Sequence, residues 1–414
     1  MTTSSHTRNG RAGRGAILSL ALSMLLAALG TSIANIALPS LAAALDAPFH
    51  QVQWVVIAYL AGLTAFSLVA GRLGDVFGHR RMLLAGLALF AVASAACGLS
   101  GSIGMLIAAR LVQGTAAAML MTLTIALVRD VAASGGAGLS MGLLGTMSAV
   151  GTALGPSLGG VVVAAYGWRA AFWVLVPLGL AALALAATLL PRDLERSTRA
   201  QRLRLADLGE PVLAARLGAN ILVAATMMAT LVVGPFVLGP ALGLSEAQVG
   251  LVMAVGPVIS MLSGVPAGRL VDLRGPLPVS VLGLAALALG AFALAVLPAF
   301  AGVAGYLAAI VMLTPGYQLF QAANNTAVVA SGAADRRGHL SGLLNLSRNL
   351  GLIAGASLLG ALFALGAGVP AIEAAARPAI LDGLRLTFAV AGLMMLAALW
   401  LTLAFHDAQE TAKS

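Results

Sequence analysis

Residues 71–81 read Gly-Arg-Leu-Gly-Asp-Val-Phe-Gly-His-Arg-Arg. One carboxylate, Asp75, stands among Arg72, Arg80 and Arg81. The chemistry on offer is ion pairing, or anchoring at the positive end of a helix. Gly71, Gly74 and Gly78 permit a tight, closely packed turn. A related string, Gly268-Arg269-Leu270-Val271-Asp272-Leu273-Arg274-Gly275, follows 197 residues later and sets Asp272 beside Arg269. Other polar side chains interrupt long apolar runs: Asn35, Tyr59, Arg110 with Gln113, Gln321 with Asn324 and Asn325, and Asn345 with Arg348. Gln321, Asn324 and Asn325 fall at i, i+3, i+4 and share a helical face, as do Asn345 and Arg348 at i, i+3. Polar groups in such runs either line a cavity or gate, or hydrogen-bond a neighbouring helix.

Covalent catalysis finds no matching residues. The sequence offers no Ser/His/Asp set, no His-Glu-x-x-His and no recognisable pair of catalytic carboxylates, and its five His residues lie in tails or near loops. The glycine strings sit inside apolar runs rather than after strands, so no phosphate-cradling loop is expected. Cys97 is the single cysteine, which excludes an intrachain disulfide, and no metal-ligand set stands out. No metal and no cofactor are expected.

The elements that must position these residues are membrane helices. Of 414 residues 60% are hydrophobic and only 9% charged, a balance that makes the bilayer the solvent. The apolar segments are long, rich in Ala, Leu and Gly, and do not alternate, which favours helices over strands. Twelve are expected, at about 16–38, 53–72, 81–99, 104–127, 139–163, 171–190, 213–236, 247–268, 277–297, 303–330, 340–366 and 384–405. The expected organisation is an N-terminal tail at 1–15, a six-helix bundle at 16–190, a charged linker at 191–212, a second six-helix bundle at 213–405 and a tail at 406–414.

Charge sets the orientation. With both ends inside, the cytoplasmic segments carry Arg8, Arg11, Arg14, Arg72, Arg80, Arg81, Arg129, five linker arginines, Arg269, Arg274, Arg336, Arg337 and Lys413. The outer loops carry only Arg169, Arg377 and Arg385, a strong positive-inside bias. The net charge of +9 is therefore topological, and no nucleic-acid partner is expected. The run from Ala16 is too long for a typical signal core, so it is expected to stay as the first helix.

The helix 2–3 string and its repeat resemble the major facilitator superfamily of secondary transporters. The resemblance implies that Asp75 faces the start of helix 11, near Gly338–Leu340, and latches the two halves on the cytoplasmic side. It implies the same for Asp272 toward helix 5, near Gly138, with Arg72, Arg80, Arg81 and Arg269 as companions. Gln53-Trp54-Val55-Val56-Ile57-Ala58-Tyr59 is similar to helix 2 of the drug:proton antiporters of the fourteen-helix branch. Gly30-Thr31-Ser32-Ile33-Ala34-Asn35-Ile36-Ala37-Leu38-Pro39 resembles that branch's helix 1 motif, which begins with Asp where this chain has Gly30. Arg110-Leu111-Val112-Gln113-Gly114-Thr115 resembles the helix 4 motif, whose arginine is tied to proton transfer or inter-helix hydrogen bonding.

Helix 5 carries Gly151, Gly155, Pro156, Gly159 and Gly160, similar to the antiporter motif of the export branch. Phe320-Gln321-Ala322-Ala323-Asn324-Asn325-Thr326-Ala327 again resembles that branch. The expectation is an inner-membrane exporter of hydrophobic or amphipathic small molecules, monomeric and working by alternating access with proton antiport. Asp130 and Asp75 are the acids left to serve coupling, beside Arg110. The expected cavity residues are Asn35, Tyr59, Gln113, Gln321, Asn324, Asn325, Asn345 and Arg348. Lacking a deep acid, the cavity is expected to prefer neutral or anionic substrates. A proton-independent facilitator or importer of a metabolite, favoured by Gly30, and a non-transporting membrane sensor are the alternatives.

Overall fold

A computed structural model describes residues 3–131, 137–190, 210–330, 337–368, 372 and 375–411. The described residues are helical with short turns between them. In lipid each backbone donor and acceptor must be paired within its own segment, and only a helix does this for a single run. The first half holds α1 (Thr3–Ile36), α2 (Trp54–Phe77), α3 (His79–Gly98), α4 (Ile103–Val131), α5 (Ala137–Tyr166) and α6 (Trp168–Leu189). The second holds α7 (Pro211–Phe236), extended by a π-helical turn at Val237–Ala241, and α8 (Glu246–Arg274). The run Pro276–Ala330 is two helices, α9 and α10, broken at Gly302, where φ is 55°. Next come α11 (Arg337–Ala354, continued through a π turn at Gly355–Leu359 to Ala367) and α12 (Arg377–Thr411).

Among the described residues ten runs are long and apolar enough to cross a membrane, the α9–α10 pair counted as one, and α5 adds a shorter apolar helix at Val150–Tyr166. Several outrun the apolar segment that announced them. The first apolar span starts at Gly15 inside a longer helix, and α6 starts at Trp168. The linker expected at 191–212 lies almost wholly outside the described residues.

Two compact units emerge. One comprises Met1–Ala47 with Trp54–Ala200, and the other Pro48–Gln53 with Gln201–Ser414. Within the first, α1 lies along α5, and α4 packs on α2 and α3. Within the second, α7 lies along α11, and the α9–α10 pair packs on α12 and α8. Phe49 belongs to the second unit, where its ring meets Phe236 edge-on at 4.9 Å and Phe363 at 5.5 Å.

Candidate functional site

In the first unit the site begins with two glycines. A Cβ on Gly114 would strike the Tyr59 carbonyl, and one on Gly62 would strike the Leu111 carbonyl. Helices α2 and α4 therefore touch backbone to backbone, an approach that small residues allow. This contact carries the Arg110 side chain into the bundle, where it is fully buried. Its Nε donates to the Val55 carbonyl at 3.0 Å, and Nη1 donates to the Gly30 carbonyl at 3.0 Å and to Gln113 Oε1 at 2.5 Å. The guanidinium lies 4.2 Å from the Tyr59 ring centre and 5.9 Å from that of Phe172. Nη2 has no partner.

The surrounding groups are fixed in turn. Gln113 Nε2 donates to Ser94 Oγ at 2.7 Å, and the Tyr59 hydroxyl donates to the Ala27 carbonyl at 2.8 Å. Where the related helix 1 motif has an acid, Gly30 offers only a carbonyl. A Cβ there would sit 2.9 Å from Phe90 Cζ and 3.2 Å from the Tyr59 hydroxyl. The cation is thus held by carbonyl dipoles, one amide and two ring faces. Arg110, Gln113 and Tyr59 form one cluster, in which Tyr59 is fully buried beneath the guanidinium.

The glycines of α5 face α1. A Cβ on Gly151 would lie 2.6 Å from the Leu25 carbonyl, one on Gly159 2.7 Å from Ile36 Cγ2, and one on Gly155 would collide with Ser32 Oγ. Ser32 Oγ donates to the Gly151 carbonyl at 3.2 Å across the same seam. Pro156 lies within the helix, and Gly160 is buried. Asn35, one turn beyond Ser32, is fully buried; its Nδ2 donates to the Thr31 carbonyl at 3.5 Å and its Oδ1 has no partner.

The turn after α2 uses Gly78 at φ 97°, and the turn after α8 uses Gly275 at φ 81°; the pair keeps the 197-residue offset. Only glycine adopts such angles without strain. Asp75 Oδ1 pairs with His79 Nε2 at 3.3 Å, one turn along the chain. Arg80 caps the end of α6, donating from Nη2 to the Ala187 carbonyl at 2.6 Å and from Nε to the Leu190 carbonyl at 3.1 Å. Arg72, Arg81, Arg269 and Asp272 are exposed. The side chains of Asp130, Gly338, His339 and Gly138 lie outside the described residues, while Leu340 is buried.

In the second unit α11 repeats the α5 arrangement. A Cβ on Gly351 would strike the Ile221 carbonyl, and one on Gly355 the Ala225 carbonyl, so α11 presses on α7. Asn220, buried on α7, donates from Nδ2 to the Leu344 carbonyl at 3.0 Å and to Ser347 Oγ at 2.8 Å. On α10, Asn324 is buried with Nδ2 unpartnered, Gln321 is half-buried with Nε2 unpartnered, and Asn325 is exposed. Asn345 and Arg348 are exposed on α11, off the face that meets α7.

Sequence reasoning missed Asn220, Ser94 and the Gly351–Gly355 pair. The glycine pair had a signal, the same x3 spacing as Gly151–Gly155. A lone Asn or Ser in an apolar helix carried none.

The family model described as Major Facilitator Superfamily matches residues 20–356 and 216–414. An uncharacterised transporter, YebQ of Escherichia coli K12, is 31% identical over 405 residues, covering 83% of this chain and 88% of that protein. A tetracenomycin C resistance and export protein of Streptomyces glaucescens is 39% identical over 167 residues, 40% of this chain and 31% of that one. Among solved structures, the nucleoside transporter NupG (D323A mutant) superposes with a TM-score of 0.77 at 13% identity, over 94% of this chain and 99% of that one. Apolar helices in two halves, the repeated glycine turn and a family match that reaches from residue 20 to residue 414 lead to one conclusion: the chain belongs to the major facilitator superfamily of transporters.

Proposed function

We propose that this transporter exports hydrophobic or amphipathic small molecules across a bacterial-type inner membrane, with both termini cytoplasmic. Substrate would cross by alternating access, the two halves rocking about a mid-membrane cavity. The observation that carries the export reading is the glycine seam between α5 and α1, at the positions of the export branch's antiporter motif. The similarity to an export protein over 40% of the chain supports it.

Proton antiport is the proposed drive. Asp75, Asp130 or another peripheral acid would serve it, since no Asp or Glu lies deep in any apolar segment. The same distribution favours neutral or anionic cargo, because a cation would enter the bilayer interior without a counter-charge. A proton-independent facilitator is the second reading, and one observation favours it: Arg110 meets the Gly30 carbonyl where a carboxylate would exchange a proton.

Accumulation of neutral, anionic and cationic dyes in pump-deficient bacteria expressing the chain separates the two. Antiport lowers accumulation of neutral and anionic dyes, and a protonophore abolishes the effect. Unchanged accumulation, or equilibration that ignores the protonophore, supports the facilitator.

A further inference from the structure

Helices α7 and α10 share two apolar clusters with a polar level between them. In one cluster Ala219 and Val223 of α7 pack with Phe320 of α10. In the other, Leu213 and Leu217 of α7 pack with Val328 of α10 and Leu344 of α11. Asn220 directly follows Ala219 and stands three residues after Leu217, where one set gives way to the other on α7. Asn324 lies four residues after Phe320 and four before Val328, on the same face of α10. Gln321 stands one turn before Asn324.

All three amides have a buried end with no partner: Asn220 Oδ1, Asn324 Nδ2 and Gln321 Nε2. The orientation of Asn220 is fixed, because its other end bonds the Leu344 carbonyl, which can only accept. Its free end is therefore an acceptor. The level offers one acceptor on α7 and two amides, one turn apart, on α10, each with an NH2 group to offer. Buried polar atoms are ordinarily paired, so three orphans at one level point to a missing partner.

We propose that Asn220, Asn324 and Gln321 form a subsite for an uncharged ligand edge in which a carbonyl stands beside an N–H, as in an imide or lactam. The ligand carbonyl accepts from Asn324 and Gln321, and its N–H donates to Asn220 Oδ1. The flanking Phe320, Val223, Leu217 and Val328 take apolar rings. A carboxylate is disfavoured, because it would face the Asn220 oxygen with only neutral amides to hold its charge. The proposal rests on the transporter reading but not on the direction of transport.

The test uses the full-length protein in detergent, titrated with 1,8-naphthalimide, N-methyl-1,8-naphthalimide and 1-naphthoate. The expected result is that the imide binds, N-methylation weakens it by about tenfold or more, and naphthoate does not compete. Asn324→Leu and Gln321→Leu are each expected to erase the preference for the unmethylated imide. Gln321 is only half-buried, so its variant carries the test where Asn324→Leu fails to fold. Equal binding of the methylated compound, tighter binding of naphthoate, no binding of the imide, or discrimination unaltered in the variants overturns the proposal. Dye exclusion by cells together with no discrimination in vitro defeats the subsite alone. Discrimination in vitro without dye exclusion defeats the export reading alone.

Discussion

Arg110 carries a full charge into a site where no side chain of opposite charge meets it. Isolated, such a cation costs several kcal/mol. Three charge-assisted hydrogen bonds of about 1.5–3 kcal/mol each and a stacked ring worth about 0.5–2 kcal/mol supply the compensation. Geometry decides here, since two carbonyls and Gln113 Oε1 lie where a planar fork reaches them together. Arg110→Lys keeps the charge and loses the fork. It is expected to destabilise the protein by about 1–3 kcal/mol in thermal unfolding and to lower dye export per folded molecule; normal export by that variant would remove Arg110 from the working parts. Gln113→Leu takes one acceptor from Nη1 and leaves Ser94 with one partner fewer, so it is expected to destabilise the protein by about 1–3 kcal/mol in thermal unfolding. Arg110 and Gln113 were legible in the sequence because a charge in an apolar run is conspicuous. Tyr59 was visible as a residue, but its place beneath the guanidinium was not. Phe172 and Ser94 were invisible as partners, since their roles arise only when α6 and α3 close on α4.

The seams between helices are set by glycines whose missing Cβ lets backbones meet. Gly155→Ala pushes a methyl into Ser32, and Gly355→Ala pushes one into the Ala225 carbonyl. Each is expected to lower stability by about 1–3 kcal/mol and to lower transport. Gly264→Ala in α8 meets nothing within 4 Å and is expected to be neutral or stabilising by up to about 1 kcal/mol. Thermal unfolding of the three variants side by side checks the contrast, and equal effects would contradict it. Arg80→Gln frees the last carbonyls of α6 and is expected to cost about 0.3–1 kcal/mol, most visibly at low salt. Helix number and type were legible because twenty-residue apolar runs admit little else. The α11 glycine pair was not, for a specific reason. It stands 200 residues after Gly151 and Gly155, whereas the turn strings stand 197 apart, so one offset does not align both. The π turns of α7 and α11 depend on tertiary packing and leave no periodic trace.

At the scale of the whole chain the duplication was plain from one charged string and its echo, and both turns close on a glycine at positive φ. Asp75, the acid to which the resemblance assigns a latch, pairs with His79 within its own turn. Export by proton antiport must work without a deep carboxylate. The direct measurement is transport in proteoliposomes containing the purified chain, with a dye exported by cells and an imposed pH gradient. The account predicts uphill dye movement against the proton flow, collapsing when the gradient is dissipated. Equilibration at the same rate with and without the gradient would contradict it and leave a facilitator.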